Sequence, residues 1–63
     1  MKEHDTVRLK VDIEDYDLKA GSIGVILCVF DEPEVAYEVE FSNEKGETIC
    51  ELALSKDSVE FVA

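Results

Sequence analysis

Carboxylates are the side chains of this sequence best suited to chemistry, and two segments concentrate them. The first segment contains Asp12, Glu14, Asp15 and Asp17, and the second contains Asp31, Glu32 and Glu34. Carboxylate oxygens are the ligands that calcium and magnesium prefer. An EF-hand loop starting at Asp12 would need glycine at its sixth position and glutamate at its twelfth, where this chain has Asp17 and Ile23. Three interpretations of the first segment remain: a weak cation site, a solvated loop, and a surface that docks a basic partner.

Two glycines, Gly21 and Gly24, precede an apolar run in a pattern that also occurs at phosphate-binding loops. Such a loop needs a helix after it, whose N-terminal amides meet the anion, and a P-loop also needs lysine after its last glycine. Here the following residues have the pattern of a strand, and no such lysine is present. The glycines therefore indicate a sharp turn and a bulge at the start of a bent strand.

Groups for nucleophilic or metal chemistry are scarce. His4 is the only histidine and lies in a segment that we expect to fray, so no serine or cysteine has an obvious imidazole base. Cys28 and Cys50 lie in apolar segments and lack the C-x-x-C spacing, which favours reduced, buried thiols over a disulfide or zinc site. The sequence predicts a protein that is not an enzyme and that has no catalytic residue, no metal and no cofactor.

The aromatic residues give a further candidate for binding. Peptide-binding SH3 domains use clustered aromatic side chains as a groove, but this chain has no tryptophan and only two tyrosines. We expect Tyr37 in the core. Tyr16 lies within the first acidic segment, where it either packs over the fold or is exposed to a partner.

Five segments have the alternating or wholly apolar pattern of β-strands: residues 6–13, 25–30, 35–41, 47–55 and 59–62. The segment 25–30 is apolar throughout, which is typical of a strand buried on both faces. A long loop over 12–22, a turn over 31–34, a tight connection over 43–46 and one 3₁₀ turn before the last strand connect them. This order predicts an all-β, five-stranded SH3-like barrel, with residues 1–63 as a single domain. An OB-type barrel would need a helix where residues 43–46 leave room for none, and a ferredoxin-like fold would need two helices.

Composition restricts the partners. Sixteen acids against six bases give a net charge of −10, whereas affinity for nucleic acid depends largely on lysine and arginine. Such a charge speeds association with basic surfaces. No apolar stretch approaches the roughly 20 residues of a membrane span, and the N-terminus lacks the apolar region of a signal peptide. We expect a cytoplasmic protein that contacts neither membrane nor nucleic acid directly. A domain this small buries only about 60% of its unfolded surface, which makes a homodimer a reasonable expectation.

Several motifs together resemble a known family of small acidic bacterial proteins, the domain-of-unknown-function family 4926. The motifs are D-T-V-x-L at 5–9, Asp12, L-K-x-G-x-x-G-x-I at 18–26, Y-E-V-E-F at 37–41 and G-E-T at 46–48. The resemblance covers nearly the whole chain and implies an SH3-like fold. It carries no established activity, but it implies a bacterial accessory protein, sometimes encoded beside toxins, and so an antitoxin or immunity role.

The hypothesis that follows is a protein-binding module that neutralises a basic, nuclease-like partner through its acidic surface. We expect the two acidic segments to come together at one end of the barrel. The candidate partner-binding residues are Asp12, Glu14, Asp15, Tyr16, Asp17, Asp31, Glu32 and Glu34. The alternatives are a KOW-like nucleic-acid accessory module and a structural subunit of a larger assembly.

Overall fold

The computed structural model describes residues 1–43 and 45–63. Its strands are β1 (Thr6–Leu9), β2 (Ile23–Phe30), β3 (Ala36–Ser42), β4 (Thr48–Ser55) and β5 (Val59–Phe61). Two short 3₁₀ turns, Glu14–Tyr16 and Lys56–Ser58, complete the described elements. The all-β prediction is confirmed, as is the 3₁₀ turn before the last strand. In the described residues, no helix is long and apolar enough to cross a membrane.

The five strands form one antiparallel sheet in the order β4-β3-β2-β1-β5. Consecutive strands lie side by side from β1 to β4, and the chain then crosses to place β5 on the other side of β1. Within the described residues β4 and β5 do not pair, so these two strands are the edges of an open sheet. The element order agrees with the predicted barrel, but the sheet is not closed.

The core lies on one face of this sheet because the strands alternate. In β3, Tyr37, Val39 and Phe41 are buried, and the residues between them are glutamates on the opposite face. The inward residues of the neighbouring strands complete the cluster: Val7, Leu9, Leu18, Ile26, Leu54 and Val59. The expected core position of Tyr37 is confirmed. We refer to this side as the inner face and to the other as the outer face.

Glycine is required at position 24 because the side chains and backbone of β3 lie very close to β2 there. A Cβ at this position would lie 2.6 Å from Cγ1 of Val39 and 3.0 Å from both the carbonyl oxygen of Glu40 and Cδ1 of Phe41. Gly21 has a different role: its φ of +98° makes the turn into β2, and its Cβ would meet open space. Gly21 therefore makes the predicted turn, whereas Gly24 permits close packing against β3, and the bulge expected at the start of β2 lies further along it, between Ile26 and Cys28.

The first strand is shorter than the predicted segment 6–13. The β1–β2 ladder ends where Leu9 exchanges backbone hydrogen bonds with Ser22 and Gly21, and Lys10 then donates to Ser58 near β5. Beyond this point, Ile13 and Leu18 form an isolated bridge that closes a small loop over the first 3₁₀ turn. The alternating pattern continues past Leu9, but the polypeptide no longer has a partner strand there.

One further detail, the burial of β2, differs from the expectation. The strand β2 is not buried on both faces, since Ile23 and Phe30 at its ends are 46% and 43% exposed and a register shift falls between Ile26 and Cys28. The tight connection over 43–46 is stabilised by Asn43, whose side-chain oxygen accepts hydrogen bonds from the amides of residues 45 and 47. Gly46 has the positive φ that the sequence predicts. Glu44 lies outside the described residues.

We predict that Gly24→Ala lowers the free energy of unfolding by about 1–3 kcal/mol, the usual cost of overpacking a filled core. Val39 is the nearest neighbour of the added methyl group, so Val39→Ala should relieve part of this cost. Denaturant unfolding of the two single variants and the double variant measures the coupling. Strictly additive losses would show that the contact with Val39 does not determine the need for glycine.

Candidate partner-binding surface

The first acidic segment forms an exposed loop with one internal structural role. Asp12 accepts a hydrogen bond from the amide of Ala20 (2.8 Å), which ties the two ends of the loop together. Glu14 and Asp15 lie in the first 3₁₀ turn, and Asp17 ends that turn in the left-handed conformation with φ of 55°. Tyr16 is 48% exposed beside them, which resolves the two expectations for it in favour of exposure. We call residues 12–17 the acidic loop.

The second acidic segment is the turn between β2 and β3. Asp31, Glu32 and Glu34 are exposed, and the peptide bond between Glu32 and Pro33 is cis. Glu34 also lines an open cleft of about 340 Å³, together with Val35, Ser55, Lys56 and Asp57. The cleft thus adds a carboxylate from the second 3₁₀ turn to those of residues 31–34, which we call the acidic turn.

These two acidic segments leave β2 at opposite ends. The acidic loop precedes the start of β2, and the acidic turn follows its end. The strand has eight residues, so its ends lie about 23 Å apart. The expected convergence of both segments at one end does not follow from this strand order, because consecutive antiparallel strands alternate the ends at which they are connected.

A third group of carboxylates lies on the outer face. Glu38 and Glu40 occupy the outward positions of β3, and Glu51 occupies an outward position of β4. Glu40 lies directly opposite Glu51, and Glu38 lies opposite Ala53. We call Glu38, Glu40 and Glu51 the glutamate face. It continues along β3 from the acidic turn, since Glu38 is four residues from Glu34.

The hydrogen-bond pattern of the sheet brings Glu40 and Glu51 especially close. Thr6 exchanges its backbone hydrogen bonds with the chain at the end of β5, so Val25, opposite Thr6 in β2, directs its backbone groups toward β3. Val25 and Glu40 are therefore a hydrogen-bonded pair, and Glu40 and Glu51 are a non-hydrogen-bonded pair. Side chains of such pairs are the closest in an antiparallel sheet, and like charges at these positions repel.

No cation of the described residues neutralises this repulsion by an ion pair. The two ion pairs found there join Lys2 to Asp5 and Arg8 to Glu60. Arg8 lies on the outer face of β1, but its guanidinium contacts Glu60 at 3.2 Å. The glutamate face is consequently a negatively charged surface of the sheet, and no ion pair of the described residues involves it.

Both thiols are free, as predicted, but neither is fully buried. Cys50 is on the inner face of β4, opposite Phe41, and burial raises the pKa of its thiol above the ordinary value. Cys28 pairs with Glu38 and is therefore on the outer face of β2. The partial exposure of Cys50 follows from its place on an edge strand, because no strand of the described residues pairs with the far side of β4.

The glutamate face was missed by the sequence-based choice of site residues. The alternation in residues 35–41 places Glu38 and Glu40 outward, and that signal is visible in the sequence. The pairing of Glu40 with Glu51 is not visible, because it depends on a register shift between Phe41 and Ser42 that the sequence does not reveal.

Reversing one charge should test the repulsion directly. We predict that Glu51→Lys raises the free energy of unfolding by about 0.5–1 kcal/mol at low ionic strength, since it turns a repulsive cross-strand pair into an attractive one. The gain should shrink in high salt and in the Glu40→Gln background. Equal stabilisation with and without Glu40 would instead attribute it to the lower net charge of the whole protein.

The raised pKa of Cys50 has a kinetic consequence. Only the thiolate reacts with iodoacetamide, so the pH midpoint for alkylation of Cys50 should be higher in the folded protein than in denaturant. Mass spectrometry of the Cys28→Ala variant measures this midpoint on a single thiol. A midpoint that is equal or lower in the folded protein would contradict the desolvation of Cys50.

Comparison with known proteins connects these features to one family. A protein-family model described as "Domain of unknown function (DUF4926)" matches residues 3–61, in agreement with the resemblance seen in the sequence motifs. No curated protein and no solved structure matches the chain.

Proposed function

The chain belongs to the DUF4926 family, a family of unknown function, and we propose that it is a protein-binding module without enzymatic activity that docks a basic protein on its acidic surface. The observation that carries the proposal is the glutamate face: Glu40 and Glu51 are held opposite each other, with no internal cation paired to either in the described residues. A basic partner would supply the missing counter-charge.

The acidic turn extends this surface. Its three carboxylates precede β3, and the adjoining open cleft adds Asp57 beside Glu34, with Lys56 also in its lining. We therefore place the docking surface on the acidic turn and the glutamate face together. The acidic loop, with Glu14, Asp15, Tyr16 and Asp17, lies at the other end of β2 and forms a separate candidate.

The partner class that fits best is a protein that itself binds nucleic acid, such as a nuclease-like toxin. Proteins that bind nucleic acid use lysine and arginine to neutralise phosphates, so their binding surfaces are basic. An acidic protein can cover such a surface and exclude the nucleic acid. This is the antitoxin or immunity role that the family resemblance implies for a small bacterial protein. The same charge disfavours the alternative of a KOW-like module, because repulsion from phosphates would oppose it.

We also infer that the open sheet is an SH3-like, partly open barrel. The supporting features are the order of the five strands, the long first loop, the tight β3–β4 connection and the 3₁₀ turn before β5. The proposed binding mode differs from that of SH3 domains that bind proline-rich peptides, since it depends on carboxylates and not on an aromatic groove.

Three variants that each remove three carboxylates test the docking surface. The face variant carries Glu38→Gln, Glu40→Gln and Glu51→Gln; the turn variant carries Asp31→Asn, Glu32→Gln and Glu34→Gln; the loop variant carries Glu14→Gln, Asp15→Asn and Asp17→Asn. We expect the native protein to recover a basic protein from lysate of its host. The face and turn variants should recover several-fold less, and the loop variant should recover about as much as the native protein.

Because the three variants remove the same number of carboxylates, a difference in recovery between them reports the location of the docking surface and not the net charge of the protein. Raising ionic strength to about 0.3 M shortens the Debye length to roughly 6 Å and should reduce recovery by the native protein. Loss of binding in the loop variant alone would move the docking surface to the acidic loop. Equal recovery by all four proteins would refute the charge-based function.

A further inference from the structure

The outer edge of β4 carries unpaired backbone groups whose positions the hydrogen-bond pattern fixes. Because Glu40 and Glu51 form a non-hydrogen-bonded pair, the N–H and C=O of Glu51 point away from β3. Alternation gives Ala53 the same orientation, whereas the backbone groups of Cys50, Leu52 and Leu54 point toward β3. Glu51 and Ala53 therefore offer two donors and two acceptors at the open side of the sheet.

Over residues 50–55 this edge lacks the features that usually prevent strand addition. Natural edge strands are short, or carry lysine, proline or a bulge, or are covered by other segments. The other edge strand, β5, has only three residues. β4 has eight residues, Thr48–Ser55, with neither lysine nor proline and with Glu51 as its single charged residue. A register shift near Ile49 disturbs its beginning, so residues 50–55 form the regular part.

The inner face of β4 is incompletely covered. Burial is nearly complete on β3, where Val39 and Phe41 are 0% and 1% exposed. Their partners on β4, Leu52 and Cys50, are only partly buried although they point into the same core. A further strand beside β4 would place apolar side chains over these two residues and bury surface that the chain alone leaves exposed.

The outer face of the same edge is acidic. Side chains of a further strand alternate between the two faces, as those of β4 do. On the outer face, one of them would lie directly opposite Glu51, whose carboxylate already faces that of Glu40. The two faces of the edge thus select for different chemistry: apolar residues on the inner face and cationic residues on the outer face.

We propose that the edge of β4 over residues 50–55 is a docking site for an extended segment of a basic protein in which lysine or arginine alternates with apolar residues. This inference rests on the proposed function and specifies how the partner binds: its segment adds a sixth strand to the sheet. The cationic residue opposite Glu51 makes both backbone hydrogen bonds and a charge pair. A second copy of this chain fits less well, because it brings its own net charge of −10 and the residues of its β4 include no cation.

Amide hydrogen exchange distinguishes strand addition from electrostatic attraction alone. The probe is a capped seven-residue peptide of alternating lysine and valine, and the control is a peptide with the same residues in two blocks. In the free protein, the amides of Glu51 and Ala53 should exchange fast and that of Leu52 slowly. The alternating peptide should slow exchange at Glu51 and Ala53 at least tenfold, and the block peptide should not.

Two variants remove the backbone and charge contributions separately. Ala53→Pro eliminates a donor on the open side and keeps the bonds to β3, a position where proline is tolerated in edge strands. Glu51→Lys keeps the backbone edge but repels the peptide, and Glu3→Lys is the control with the same charge change at an exposed position outside every acidic segment described above. The first two should each weaken peptide binding about tenfold or more, whereas Glu3→Lys should leave it within about twofold.

The outcomes separate this inference from the proposed function. If binding depends on salt and on Glu51 but leaves Ala53→Pro unaffected and the edge amides unprotected, the acidic surface binds cations without strand addition, and the inference is wrong. If Glu51 and Ala53 are already protected in the free protein and the protein sediments as a dimer, a second copy occupies the edge. Protection by the alternating peptide together with equal recovery of the host partner by the charge variants would refute the proposed function alone.

Discussion

The alternation of β3 is the constraint on which the rest of the structure depends. Tyr37, Val39 and Phe41 must lie on the inner face because their side chains form the centre of the small core. A register shift of one residue would bury Glu38 and Glu40 in their place. Burial of an unpaired carboxylate costs far more than any contact in this sheet can return. The register of β3 is therefore strongly determined, and with it the positions of β2 and β4, which pair on its two sides.

The same register produces the negative surface. Once β3 is fixed, its glutamates occupy the outer face, and pairing with β4 brings Glu51 opposite Glu40. The cross-strand repulsion costs a fraction of a kcal/mol to about 1 kcal/mol, which matters in a chain whose core is this small. The packing that stabilises the inner face thus concentrates like charge on the outer face. Partner binding would offset this cost, which links the proposed function to the fold.

The sequence predicts the parts of this structure that depend on local pattern. Alternation in residues 35–41 and the Gly21–Gly24 pair correctly indicate β3 and the turn into β2, because each depends on neighbours in the chain. The end of β1 at Leu9 was missed, since the loss of its partner strand, not any change in pattern, ends the ladder. The position of the acidic segments at opposite ends of β2 follows from their places before and after that strand, so the predicted strand order already implied it. The pairing of Glu40 with Glu51 depends on a register shift, which leaves no signal in residue types.

Hydrogen bonding and charge are coupled at the open edge by the geometry of the antiparallel pair. In β4 the residues with side chains on the outer face, Glu51 and Ala53, are also those whose backbone groups point to the open side. A strand that pairs there must place its hydrogen-bonded residues on the outer face too, beside the carboxylate of Glu51. Backbone pairing alone would accept almost any extended segment, and charge alone almost any cation. Because both act at the same residues, the edge discriminates in favour of segments that satisfy the two requirements in one register, and against a second acidic chain.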